Sequence, residues 1–174
     1  MRVIETVHTA DLAPDVVERI RALLYEVFDD MTEDDWEHAL GGLHALAWDG
    51  DDLIGHASVV QRRILHQGKA LRAGYVEAVA VKEGKRRQGV AGALMAELER
   101  VIKSAYDLGA LGASDEGAAF YAQRGWKPWQ GKTFALTPTG VVATPEEDDC
   151  VFVLHDDMDL EGEITADWRD GDVW

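Results

Sequence analysis

The run Y-V-E-A-V-A-V-K-E-G-K-R-R-Q-G-V-A-G-A-L at 75–94 allows few folds: an apolar strand enters a basic, glycine-containing turn, and a helix starts directly after it. Backbone N–H groups at a helix start have no intrahelical partner and the helix dipole is positive there. The order strand, turn, helix therefore describes a cradle for a phosphate. Between Lys82 and Arg87 lie four positive charges and one negative, in a chain of formal net charge -16. A basic island in so acidic a protein points to a bound polyanion.

At 174 residues and 47% hydrophobic content the chain is expected to form one globular domain over 1–174, with core enough to need neither disulfides nor a structural metal. Its one cysteine, Cys150, excludes an internal disulfide and fits a reducing cytosol. The N-terminal M-R-V-I-E-T-V-H-T-A-D lacks a signal-type apolar core, and no run approaches the roughly 18 apolar residues of a membrane span. The expectation is a soluble, cytoplasmic protein with no membrane partner. The acidity weighs against nucleic acid, which needs Lys and Arg over a broad surface. It permits a cationic ligand, although a solvated acidic surface has the same composition.

Val16, Val17, Ile20, Leu23, Leu24, Val27 and Phe28 recur at three- and four-residue spacing after Pro14, which predicts a helix over 14–28. A second starts at Thr32, where T-E-D-D resembles a capping box with Asp35 as reciprocal partner, and ends at Gly41-Gly42. Two helices are thus expected before the sheet. From Leu43 the period changes to two, and Asp49-Gly50 and Gln67-Gly68 are hairpin signals linking three antiparallel strands. Val90, Leu94, Leu98, Val101 and Ile102 mark a long helix to about Lys103. A buried strand over 108–113, a helix capped by Ser114 or Asp115 and running to Gln123, and strands from 126–129 and over 151–154 follow. The polar stretch 138–149 reads as a loop. The fold class is α/β (mixed), a layered fold with a mostly antiparallel central sheet flanked by helices.

Arg86-Arg87-Gln88-Gly89-Val90-Ala91 matches Q/R-x-x-G-x-G/A, and it resembles the pyrophosphate turn of the Gcn5-related N-acetyltransferases (GNAT) in context as well as in letters. Glycine or alanine lets the backbone approach two phosphates, and arginine adds charge-assisted bonds. No G-x-x-x-x-G-K-[ST] occurs and no G-x-G-x-x-G follows a strand, which argues against a triphosphatase or a dinucleotide binder. Downstream, E-G-A-A-F-Y-A-Q-R-G-W resembles the late helix of the same family, with Tyr121 at the position of its general acid. Read without the resemblance, Phe120 and Tyr121 are equally core aromatics.

A narrower resemblance covers almost the whole chain. D-W-E-H-A-L-G-G-L-H-A-L at 35–46, Q-R-R at 61–63, A-L-R-A-G-Y-V-E-A-V-A-V at 70–81, Y-D-L-G-A-L at 106–111, Y-A-Q-R-G-W-K-P-W at 121–129 and the final D-W-R-D-G-D-V-W look like an aminoglycoside 2'-N-acetyltransferase. What this implies is direct acetyl transfer from acetyl-CoA to the 2'-amino group of an aminoglycoside, conferring resistance, by a cytoplasmic homodimer with a cationic small-molecule partner. Glu77 matches the strand carboxylate acting as base through water; by itself it reads as a solvent-facing or ion-paired residue of a strand. The resemblance further implies acceptor contacts from Asp30, Glu77, Ala78, Gly112, Glu146, Glu147, Asp172 and Trp174, whose terminal carboxylate adds a charge and counts with Glu77 and Tyr121 among the catalytic groups. It implies donor contacts from the backbone of Val79, Ala80 and Val81, pairing with the pantetheine arm, and from Arg86, Arg87, Gln88, Gly89, Val90 and Ala91. Gly112 departs from relatives with serine, leaving only its backbone to contribute.

Six histidines are scattered with no H-E-x-x-H and no close Cys/His pair, so no metal site is expected. Cys150, among acidic residues, reads as a buried structural thiol of raised pKa. Two other functions fit parts of the pattern: an acetyltransferase of the same fold with another amine as its physiological acceptor, and a non-catalytic acyl-CoA sensor that keeps only the donor cradle.

Overall fold

The first element is a strand where the sequence suggested none: β1 (Arg2–His8) precedes both helices. Only Ile4 and Val7 are half-buried in it, so it carries no burial periodicity of its own. Its antiparallel ladder holds it, from Arg2 opposite Asp49 to His8 opposite Leu43 of β2 (Leu43–Asp49). The computed structural model describes residues 1–174. They divide into two units, Met1–Val60 with Val76–Val101 and Gln61–Tyr75 with Ile102–Trp174.

In the first unit, α1 (Pro14–Val27) and α2 (Glu33–His38) follow β1. The capping box forms: Asp35 N–H donates to Thr32 Oγ1 at 3.2 Å, and Thr32 N–H donates to Asp35 Oδ2 at 2.9 Å. The helix stops at His38, short of the predicted Gly41-Gly42. Ile20, Leu23 and Leu24 of α1 pack with Trp36, Leu46, Leu53 and Ala80 to make the core of this unit, as the three- and four-residue spacing required. Gly42 is fixed by close approach, since a Cβ there would lie 2.0 Å from the Val59 carbonyl oxygen.

Both hairpin turns form, with Gly50 at φ 63°, Gln67 at φ 49° and Gly68 at φ 76°. They join β2 to β3 (Asp52–His66), and β3 to β4 (Lys69–Val81). The latter leads into α3 (Val90–Ala105). β3, β4 and α3 contribute residues to both units.

The second unit adds β5 (Leu108–Gly112), α4 (Asp115–Gln123), β6 (Lys127–Pro128), β7 (Thr133–Thr137), β8 (Gly140–Ala143), β9 (Val151–Leu154) and β10 (Ile164–Ala166). β5 runs parallel to β4 through Ala73–Tyr75 and antiparallel to β9, and β6 pairs β9. β10 lies antiparallel to β3 and parallel to β7, which forms a hairpin with β8. The stretch predicted as a loop over 138–149 therefore contains a strand. All four residues of β8 are exposed, so no apolar alternation betrayed it, and its pairing with β7 defines it. The predicted strand at 126–129 shrinks to two paired residues, because Trp126 and Trp129 turn into the core. Ser114, not Asp115, caps α4. The result is a mixed α/β fold in which most strand pairs are antiparallel. No helix is long and apolar enough to cross a membrane.

Candidate active site

Within the first unit, Glu77 stands half-buried on β4 beside Ala78, whose backbone is left-handed at φ 50°. For a residue with a Cβ that conformation costs about 1–2 kcal/mol, so neighbouring groups must hold it. His56 Nδ1 lies 2.8 Å from the Ala78 carbonyl oxygen, and Ser58 Oγ donates to the Glu77 carbonyl at 3.5 Å. A carbonyl can only accept, and this fixes a chain of tautomers. His56 Nδ1 carries the proton, so His56 Nε2 accepts from His44 Nδ1–H at 2.9 Å. His44 Nε2 in turn accepts from the Thr9 hydroxyl at 2.7 Å. Both imidazoles are buried and held neutral: burial first, then a neighbouring histidine, pushes His44 down to about 4 and His56 to about 3. The main chain next to Glu77 is thus anchored from inside.

The turn after β4 differs from a free basic island. Lys82 Nζ pairs with Asp52 at 2.8 Å and Lys85 Nζ with Asp49 at 2.8 Å. Arg86 Nε donates to the Val81 carbonyl at 3.2 Å, and Gln88 Nε2 donates to Gly84 O at 3.1 Å. Half of the positive charge counted in the sequence is already matched, so the turn offers an anion its backbone and arginines more than free lysine charge. Arg87 at φ 57° and Gly89 at φ 78° turn the chain into α3, and a Cβ on Gly89 would meet nothing within 4 Å. Open space in front of a glycine at the start of a 16-residue helix fits a pyrophosphate group. Asp30, also in this unit, is exposed in the turn after α1.

In the second unit, Tyr121 of α4 packs edge-on against Phe120 and Trp126, with ring centroids 5.1 and 6.2 Å away, and burial pushes its phenol up to about 12. Glu147 is raised by burial, then by Asp172 and Glu146, so three of the expected acceptor carboxylates share one field. A Cβ on Gly112 would lie 3.5 Å from the backbone C atom of Trp174 and 3.6 Å from the Tyr75 hydroxyl, ordinary contact distances, so Gly112 stands beside the end of the chain. Cys150 is partly exposed rather than buried, because it sits just outside β9, and burial together with Glu147, Asp115, Asp149 and Asp148 raises its thiol. No three His, Cys, Asp or Glu side chains group as metal ligands would.

Three buried polar residues went unread in the sequence. His44 and His56 lie in strands whose other residues are mostly apolar. Arg62 is 5% exposed, in phase with Ile64 and His66 along β3. That alternation, a charge on the inward face of a strand, was the available signal.

Residues 9–129 match the family described as Acetyltransferase (GNAT) domain. An aminoglycoside 2'-N-acetyltransferase of Mycolicibacterium fortuitum is 52% identical, over 97% of this chain and 90% of that protein. Among solved structures, the GNAT family N-acetyltransferase YhbS of Escherichia coli, in complex with CoA, superposes with a TM-score of 0.67 at 18% identity, over 94% of this chain and 88% of that one. ElaA of Escherichia coli gives 0.61 at 20% identity, over 89% of this chain and all of the other. With its strand, turn and helix order, its family match and this relative, the chain belongs to the GNAT acetyltransferases.

Proposed function

We propose that this enzyme transfers the acetyl group of acetyl-CoA to the 2'-amino group of an aminoglycoside, with residues 1–174 acting as one catalytic domain. The observation that supports this most is identity of 52% sustained over 97% of the chain with an enzyme of that name. Acetyl-CoA supplies a thioester electrophilic enough that no enzyme nucleophile is required. The backbone of Val79, Ala80 and Val81 offers edge groups for the pantetheine amides. Arg86, Arg87, Gln88, Gly89, Val90 and Ala91 receive the pyrophosphate.

The difficult step is the acceptor amine, which is largely protonated at neutral pH and must lose a proton before it attacks. Glu77 takes that proton through water; direct contact would favour the ammonium form instead. Tyr121, which burial keeps protonated across the working range, donates a proton to the departing thiolate. Asp30, Ala78, Gly112, Glu146, Glu147, Asp172 and Trp174 contribute to acceptor binding. The raised Glu147 carboxyl supports that role, since a polycation relieves the repulsion from Asp172 and Glu146. A homodimer in the cytoplasm completes the reading.

The test compares kcat/KM for a 2'-amino aminoglycoside such as tobramycin with that for a 2'-hydroxy counterpart. A preference of at least about 100-fold for the amine is expected, because a hydroxyl is far the weaker nucleophile. Equal rates would point to an acetyltransferase of the same fold whose physiological acceptor is another amine. Donor binding with no thiol release from either would point to an acyl-CoA sensor.

A further inference from the structure

We infer that Arg62 is a positioning residue for acceptor recognition: from the core of the second unit it holds the strap Asp167–Trp174 and so sets the place of the Asp172 carboxylate. This rests on the reading of Asp172 as an acceptor contact. All three guanidinium nitrogens donate to the strap. Arg62 Nε donates to Asp167 Oδ1 at 2.8 Å, one terminal nitrogen donates to the Asp167 carbonyl at 2.8 Å, and the other to the Val173 carbonyl at 2.5 Å. Both ends of the strap are therefore tied to one rigid planar group, which a lysine cannot imitate.

The strap is further registered by Asp167, whose Oδ2 accepts from Arg63 N–H at 3.0 Å and whose N–H donates to Arg63 O at 3.1 Å. Arg169 Nε donates to the Asp172 carbonyl at 2.7 Å, closing a tight loop around Asp172. Tyr75 lies against both cations, with its ring centroid 4.7 Å from the Arg62 guanidinium carbon and 5.2 Å from that of Arg169. A buried arginine in an apolar strand position is costly to desolvate. It is satisfied here by two main-chain carbonyls and one carboxylate, all from a segment with little regular structure of its own. That segment carries Asp172 into the field of Glu147. A core side chain thus fixes the place of an acidic one.

Three variants, Arg62→Lys, Arg62→Met and Asp172→Asn, and the double variants of the last with each of the first two, separate the possibilities. Each single variant is expected to raise KM for tobramycin about tenfold, the loss of one charge-assisted contact, with kcat and KM for acetyl-CoA within about twofold of the parent. Because Arg62 acts through Asp172, each double variant should be no worse than its weaker-binding single parent. If Asp172→Asn leaves the tobramycin KM unchanged, the acceptor role of Asp172 is wrong, and the inference falls with it. If Asp172→Asn raises it and the Arg62 variants do not, or their effects multiply in the doubles, the positioning role of Arg62 is wrong. A general loss, with kcat and both KM values disturbed together, would mean that Arg62 is structural only. Should Arg62→Met fail to fold, Arg62→Lys keeps a buried cation and still decides the question.

Discussion

Glu77→Gln is expected to lower turnover of an aminoglycoside by about 100-fold or more, the usual contribution of a positioned base, while KM for acetyl-CoA stays within about twofold. The amide keeps the shape of the side chain and removes its ability to accept a proton, so the effect isolates the chemistry. The pH dependence carries the sharper prediction. In the variant the amine must shed its proton to bulk water, and the residual rate should climb as the pH rises through the titration of the amine. The ratio of parent to variant activity should therefore shrink with pH. A constant ratio would mean that the proton leaves by another route. Tyr121 does not enter this comparison, since its phenol, pushed up to about 12, stays protonated throughout.

His56→Ala should destabilise the protein by about 3–5 kcal/mol, combining a large buried cavity with unsatisfied groups at His44 and at the Ala78 carbonyl. Acid should act on the same pair. An unfolded chain takes up protons at these histidines as the pH falls through about 6.5. The native pair stays neutral down to about 4 for His44 and about 3 for His56, chiefly because both are buried. Across that window the unfolded state binds more protons, so stability rises with pH, and what the pair contributes at pH 7 is lost as the pH falls from about 6.5 towards about 3. Urea midpoints measured from pH 4 to pH 7.5 check this against a His44→Phe/His56→Leu variant. The parent should show the steeper slope, and identical slopes would contradict the neutral pair.

How much of this was legible in the sequence depended on whether a residue's own periodicity placed it. The α1 face, the Thr32 to Asp35 box and the Gly50 and Gly68 turns are local devices, and they form as read. β1 is held by a partner distant in the sequence and β8 by the adjacent β7, and both bury little, so their letters carry no pattern. At the site, the glycine turn 86–91 was visible as a motif, but the pairing of Lys82 and Lys85 with Asp52 and Asp49 was not, because those acids lie across a hairpin. His56, His44 and Arg62 act through contacts 12 to 111 residues away in the chain, a separation that no window of sequence spans.

The position of the acetyl group on the product identifies the reaction. Tobramycin and acetyl-CoA turned over by the purified enzyme, with the product resolved by mass spectrometry and two-dimensional NMR, should give one species carrying one acetyl group on the 2'-nitrogen. Acetyl on any other nitrogen or on oxygen, or no acetylated product despite donor binding, would contradict the account.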